Sequence, residues 1–394
     1  MIDKVLEHID QAKITDVLAS LVRFNSANPP GNEAPVAQYL MDILAGIGLE
    51  AQVVPLVKGR ANVIARLPGR RAAPALMFCG HLDTVGLGQI DWQHDPFGAE
   101  IVNGRLYGRG ASDMKGGLAA VVAAIDALSH AGMKLGGDVI VAGTAGEEVD
   151  FLGARQLLAS GALNGVGALV VPEPTSLRLV TAHRGLTWLR LTTQGKAAHG
   201  SMPELGVNAI LHMYALIERL QHHRFTHKPH PLLRSSTVNI GTLSGGTATN
   251  IVPKRCQATV DIRTVPGQST KDVLKEIQEL IAGLEREVPN FYARVEVIKD
   301  TSAVVTDPGA PLVRAAQRAT QAVLGQKLVP KGVSYTTDAS VLTPPTGIPT
   351  IIFGPGETAM AHQLDEYVVI DKVVQAARFY AVLALELLAT QEDV

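Results

Sequence analysis

Residues 75–85 read ALMFCGHLDTV: a short apolar, strand-forming run broken off at once by Gly80, His81 and Asp83. Two more stretches repeat the design. Residues 138–148, DVIVAGTAGEE, end on Glu147 and Glu148, and residues 168–174, ALVVPEP, carry Glu173 just past the apolar run. Each reads as a buried strand with metal-binding side chains at its carboxyl end. Active sites of open α/β sheets form at that end of the strands, so three such clusters would converge on one edge. Any one alone is unremarkable; the coincidence points to an α/β fold with a site at the sheet edge.

Outward from these strands, helical and extended patterns alternate up to about residue 176. Glu33–Leu44 has helix periodicity, with Asn32 as its expected cap and Gly46 as its stop. The N-terminal MIDKVLEHIDQAK reads as one amphipathic helix. Ala51–Leu56 and Asn62–Leu67 are β-rich, and Glu100–Gly108 reads as a hairpin because Asn103-Gly104 suits a type I′ turn. Lys115–Ser129 is an Ala-rich helix and Leu152–Ala159 another. Strands alternating with helices imply a sheet covered on its faces. The pattern then changes: strand Leu186–Thr193, helix Val207–Leu220, strands Ser236–Thr242 and Arg255–Arg263, helix Thr270–Glu287, strand Phe291–Ile298. That β-α-β-β-α-β order is the split-βαβ arrangement. From about residue 299 the first style resumes, with helix Pro311–Leu324, strand Pro349–Phe353 and helix Asp371–Leu388. The expected organisation is one α/β domain (residues 1–178 and 299–394) interrupted by an α+β domain (residues 179–298).

Composition narrows the function. A length of 394 residues suits two or three domains. Apolar residues at 46% and charged residues at 18% are globular values. With 35 basic against 37 acidic residues, the net charge of −2 offers no electrostatic case for nucleic acid or an anionic membrane. Cys79 and Cys256 are the two cysteines, too few for a disulfide framework, and Cys79 reads as inert core. No apolar run approaches the roughly 18 residues of a membrane span, and the N-terminus lacks a secretory layout. A cytoplasmic protein is expected.

His81 and Asp83 are two apart, so on a continuing strand they share a face and the carboxylate can hold the second ring nitrogen. Asp113 lies in Gly108–Gly117, where flanking glycines let the backbone carry it into a crowded site. That segment lacks the Gly-Lys-Ser/Thr ending of a phosphate cradle. Adjacent Glu147 and Glu148 cannot point the same way if extended, so one can ligate a metal while the other faces substrate as a base. His222, His223, His227 and His230 sit among prolines and polar residues and read as surface loop.

GHLDTV, GRGASDMKGG, GTAGEEVDFLGAR and VPEPTS, followed much later by AHQLDE, resemble the dinuclear zinc amidohydrolases of the M20 metallopeptidase family. That group includes acetylornithine deacetylases, succinyl-diaminopimelate desuccinylases, aminoacylases and glutamate carboxypeptidases. The resemblance spans essentially the whole chain. It implies a zinc-exopeptidase-like α/β catalytic domain with an inserted ferredoxin-like lid or dimerisation domain. It further implies two Zn²⁺ per chain, with Co²⁺ or Mn²⁺ as substitutes. His81 and Glu173 would hold one ion, Glu148 and His362 the other, and Asp113 would bridge them. Glu147 would be the general base, with Asp83 orienting His81. Mixed histidine and carboxylate donors do suit zinc.

The inserted domain carries Gly195–Ser201, which resembles the family segment whose histidine, here His199, helps stabilise the oxyanion and in dimeric relatives reaches the partner subunit. Asn250 in Thr247–Pro253, and Arg263 in Asp261-Ile262-Arg263, look like the family's grip on the substrate's free carboxylate, a task that suits an Arg fork. Gly354, in Gly354-Pro355-Gly356, is expected to offer its N–H to the same group. The expected function is hydrolysis of the amide of an N-acyl-L-amino acid, with the substrate as small-molecule partner and a homodimer as assembly. The alternative is a dipeptidase or carboxypeptidase, which the metal site cannot separate; contacts around Tyr335–Ser340 would. A non-catalytic binding homologue is a third reading, disfavoured by the complete set of ligands and base.

Overall fold

The computed structural model describes residues 1–70 and 72–389. Residues 390–394, the end of the expected last segment, lie outside the described residues. The chain divides into two compact units. One comprises Met1–Thr181, Val305–Gly332 and Thr337 onward; the other comprises Ala182–Val304 and Val333–Thr336. Residues 333–336 were expected in the last α/β segment and instead belong with the inserted unit.

The first unit is built on a mixed sheet that includes β1 (Glu50–Val57), β2 (Arg60–Leu67), β3 (Ala75–His81), β4 (Val139–Thr144), β5 (Val166–Val171) and β6 (Thr350–Ile352). They lie in the order β1-β2-β4-β3-β5-β6. β1, β2 and β4 pair antiparallel, whereas β4, β3, β5 and β6 run parallel. β3 and β4 are buried along their whole length, as the unbroken apolar runs of a parallel sheet covered on both faces require. Helices Gly116–His130 and Ile370–Leu388 pack on each other and are nearly all interior. The scarce rings collect here: Phe78 meets Tyr380 edge-on at 5.2 Å, and Phe353 stacks on Phe379 at 3.8 Å.

Local chemistry departs from the sequence pattern in two places. The N-terminus forms two helices, Ile2–Leu6 and Gln11–Arg23, because the Asp10 carboxylate accepts from Ala12 N–H and starts a new helix. The helix Ala34–Gly46 is preceded by Glu33, not Asn32, and Glu33 makes no capping bond because Arg60 occupies its carboxylate. The chain turns left-handed at Gly48, two residues past the expected stop. The hairpin is present as Ile101–Val102 and Arg105–Tyr107, with Asn103 and Gly104 both at positive φ.

The second unit is a four-stranded antiparallel sheet. Its order is Thr237–Gly245, Arg255–Thr264, Gly185–Gln194, Ala293–Thr301, the ferredoxin-like arrangement. Helices Ala209–His222 and Thr270–Glu287 bury Met213, Leu216, Val273 and Ile277 against it. A reciprocal Ser269–Asp272 capping box starts the second helix. Among the described residues no helix is long and apolar enough to cross a membrane.

Candidate metal centre

Three adjacent parallel strands deliver the centre. β3 lies between β4 and β5, and its last residue, His81, is in register with Thr144 on β4. The chain leaving β4 reaches Glu147 and Glu148 three and four residues later, and the chain leaving β5 reaches Glu173 two residues later. Convergence at one edge follows from the parallel pairing alone. Two groups have ligand atoms all within 4.8 Å of one another: His81 with Glu147 and Glu173, and His81 with Asp113 and Glu148. His81 Nε2 is 3.1 Å from Asp113 Oδ1 and 3.7 Å from Glu173 Oε1. His362 Nε2 is 3.4 Å from Asp113 Oδ2 and 3.2 Å from Glu148 Oε1. Asp113 thus presents one oxygen to each histidine.

The ligand loops are held by hydrogen bonds to buried carboxylates. Asp83 Oδ1 accepts from the N–H groups of Gly146 and Glu147, at 3.0 and 3.1 Å. Asp83 Oδ2 accepts from Glu148 N–H and from Asn28 Nδ2. The expected contact to His81 comes from a different atom: Nδ1 lies 2.9 Å from the Asp83 main-chain carbonyl and 3.8 Å from its carboxylate. The carboxylate is engaged by the Glu147 loop instead. Gly146, at φ +87°, provides the left-handed turn that aims its N–H there.

Crowded charge shows in the proton affinities. Burial pushes Glu147 well above the usual carboxylate range, and the charges of Glu173 and Glu148 add to this against the pull of His81. Burial, Asp113 and Glu148 do the same to Glu173. Burial also raises Asp113, but hydrogen bonds from His362 and His81 outweigh it and hold that carboxyl well below its ordinary value. Burial disfavours a charged His81, yet Asp113 and Glu173 raise it well above normal. His362 is pushed up to about 10 by Asp113 and Glu148. Four carboxylates face two imidazoles, a surplus of negative charge in a buried place that a divalent cation would offset. The donor set of imidazole nitrogen and carboxylate oxygen fits zinc, and also cobalt or manganese.

The remaining sequence candidates have different settings. Gly354 is corrected: its N–H donates to Thr175 Oγ1 at 3.0 Å, so it is not free for substrate. A side chain there would meet the Glu173 and Pro172 carbonyls at 2.4 Å, so glycine serves close packing beneath Glu173. In the second unit, His199 and Asn250 are exposed neighbours: Gly200 N–H donates to Asn250 O, and His199 bridges to Ile251. His199 Nδ1 pairs with Ser201 Oγ at 2.7 Å. Arg263 forks onto Asp261 Oδ2. His223 pairs with Glu276 at 2.6 Å.

Two residues without an assigned role in the sequence pattern border the site. Asp338 is buried, is pushed up to about 6 by burial against a hydrogen bond from Thr144, and has Oδ1 without a partner. Its signal was the polar stretch Tyr335–Ser340. Glu366 sat unassigned inside AHQLDE.

A mixed α/β body whose parallel strands end on clustered histidine and carboxylates defines a metallohydrolase. Residues 77–386 match the family model described as Peptidase family M20/M25/M40, and the chain belongs to that family. It is an enzyme that hydrolyses amide or peptide bonds. It is 31% identical to a probable succinyl-diaminopimelate desuccinylase of Staphylococcus epidermidis, over 91% of this chain and 93% of that one. It is 32% identical to an acetylornithine deacetylase of Edwardsiella ictaluri, over 86% of each. Among solved structures, the aminopeptidase PepT of Bacillus cereus superposes with a TM-score of 0.80 at 23% identity, covering 96% of this chain and 99% of that one.

Proposed function

We propose that the protein is a dinuclear zinc enzyme that hydrolyses the amide bond of an N-acyl-L-amino acid. The observation that carries this reading is Asp113 offering Oδ1 to His81 and Oδ2 to His362. His81 and Glu173 would hold one ion, Glu148 and His362 the other, with Asp113 between. When bound, the ions supply a water of lowered pKa and polarise the amide carbonyl. Glu147, one residue from Glu148 but in the group with His81 and Glu173, would take a proton from the attacking water and return it to the leaving nitrogen. Asp83 fixes the loop that aims it. The motif resemblance assigns His199 to the oxyanion, and Asn250 and Arg263 to the free carboxylate. Deacylation is favoured over peptide cleavage because the relatives named above at 31% and 32% identity carry deacylase names. A panel of N-acetyl, N-succinyl and N-aroyl amino acids alongside dipeptides, with chelated and zinc-restored protein, tests it. Zinc-dependent release from acyl amino acids is expected; turnover of dipeptides alone would replace it with the peptidase reading.

The same proposal includes a homodimer formed through the second unit. Leu211 and Tyr214 are more than 60% exposed on one helix face, beside the unpaired edge of strand Thr237–Gly245. Ile210 packs at Gly245, so helix face and strand edge are continuous. A row of unpaired backbone groups next to an apolar face suits a second copy. Sedimentation should give twice the chain mass, and Leu211→Asp should halve it. A monomeric parent at micromolar concentration would refute this arrangement.

A further inference from the structure

Glu366 is fully buried, and its carboxylate makes four hydrogen bonds. Oε2 accepts from Arg109 Nη1 at 2.7 Å and Gly110 N–H at 3.0 Å. Oε1 accepts from Ser112 N–H at 2.8 Å and Asp113 N–H at 2.9 Å. Three of the donors are backbone groups of the turn that ends on Asp113. Gly110 makes that turn possible at φ +85°, and a side chain there would meet Thr84 at 2.6 Å. The backbone is tied in both directions, since Gly108 N–H donates to the Glu366 carbonyl at 2.8 Å.

Glu366 follows His362 by four residues. The Arg109 guanidinium also donates to the Gln363 carbonyl, and Asp365 Oδ1 accepts from the N–H groups of Gln93 and His94. The segment carrying His362 is therefore pinned at its far end on the turn carrying Asp113. Nothing comparable is needed at His81 or Glu173, whose positions follow from paired strands.

We infer that Glu366 is a positioning residue for metal binding: its carboxylate shapes the Asp113 turn and locks it to the His362 segment, so that both are presented as one unit to the second ion. The charge matters as well as the shape. A carboxylate accepts from all four donors, whereas an amide of the same size turns its NH₂ toward two of them. The inference rests on the metal reading above. It predicts a selective effect, because loss of Glu366 loosens Asp113 and His362 while His81 and Glu173 remain on their strands.

The test uses the full chain, chelated and then titrated with zinc against a chromogenic chelator. The parent should bind two ions. Glu366→Gln should keep one and bind the second about 10–100-fold more weakly, the usual cost of losing a partner behind a ligand. A purely structural role would lower the melting temperature and leave both affinities at parental values, which would overturn the inference. Should Glu366→Gln fail to fold, hydrogen exchange on the unmodified, metal-free chain decides. The amides of Gly110, Ser112 and Asp113 should then be protected as strongly as those of helix Gly116–His130; exchange at loop rates would overturn it. A parent that binds no zinc would end the metal reading and this inference together, whereas two tightly bound ions with unprotected amides would end this inference alone.

Discussion

The two halves of the centre are made in different ways. His81 and Glu173 lie within or just beyond adjacent parallel strands and are nearly inaccessible, at 2% and 4% exposure. Asp113, Glu148 and His362 lie on turns, and the His362 side chain is half exposed. The strand-borne half is fixed by the sheet ladder. The turn-borne half is fixed by two buried carboxylates, Asp83 beneath Glu147 and Glu148, and Glu366 beneath Asp113. Charged acceptors on backbone N–H groups are the strong kind of hydrogen bond. A site can thus combine a rigid wall with a remote chain segment, provided buried acceptors replace the missing ladder.

The largest expected effect comes at the residue that stands between the halves. Glu147 shares its loop with Glu148 but groups with His81 and Glu173. Under the proposed mechanism it would act as general base, a role worth about 10²–10⁴-fold in turnover. Glu147→Ala should lose that much in kcat and keep the parental metal content, read by elemental analysis of the same preparation. Loss of an ion instead would make Glu147 a ligand and shift the boundary between the halves.

Removing one ligand from each half comes next. Glu173→Ala strikes the strand-borne half and His362→Ala the turn-borne one. Each should weaken its ion by more than the roughly 10–100-fold that a partner behind the ligand is worth. The two variants should differ in order of loss. With His362→Ala, one ion should survive dialysis against a mild chelator; with Glu173→Ala the tighter ion is the one disturbed. Equal stripping of both variants would break the comparison.

What the sequence made legible follows the same division. Strand-borne ligands announce themselves, because an apolar run ending on His81 or Glu173 is a local pattern. The ferredoxin-like unit was legible for the same reason: alternation in Leu186–Thr193 and 3.6-residue periodicity in Thr270–Glu287 are each read within one element. The carboxylates behind the turns were not legible. Asp83 accepts from backbone groups 63 to 65 positions away, and Glu366 from groups 253 to 256 positions away. Backbone donors leave no side-chain signature, so AHQLDE showed that Glu366 was present but not what it held. Gly354 failed for a related reason. A glycine after a strand looks like an open N–H, and only the approach of Glu173 and Pro172 reveals it as a packing position.

The smallest effect is expected at the rim of the Glu147 loop. Arg60 spans that rim, bonding buried Glu33 through Nε and Nη2 and reaching Asp150 through Nη1 at 3.1 Å. Asp150 is 46% exposed at its side chain, whereas Glu33 is fully buried. Asp150→Asn keeps an oxygen for Leu152 N–H and removes only the charge facing Arg60. Exposed pairs are worth under about 1 kcal/mol, so stability by denaturant titration should fall by no more than that, with kcat and metal content unchanged. Arg60→Met, by contrast, leaves the Glu33 charge buried and alone, at a cost of about 3–5 kcal/mol. If Asp150→Asn instead released an ion or cost several kcal/mol, the loop would be held from its rim. Because Asp83 receives three successive N–H groups directly beneath Gly146, Glu147 and Glu148, the hold should come from below, and the rim charge should be dispensable.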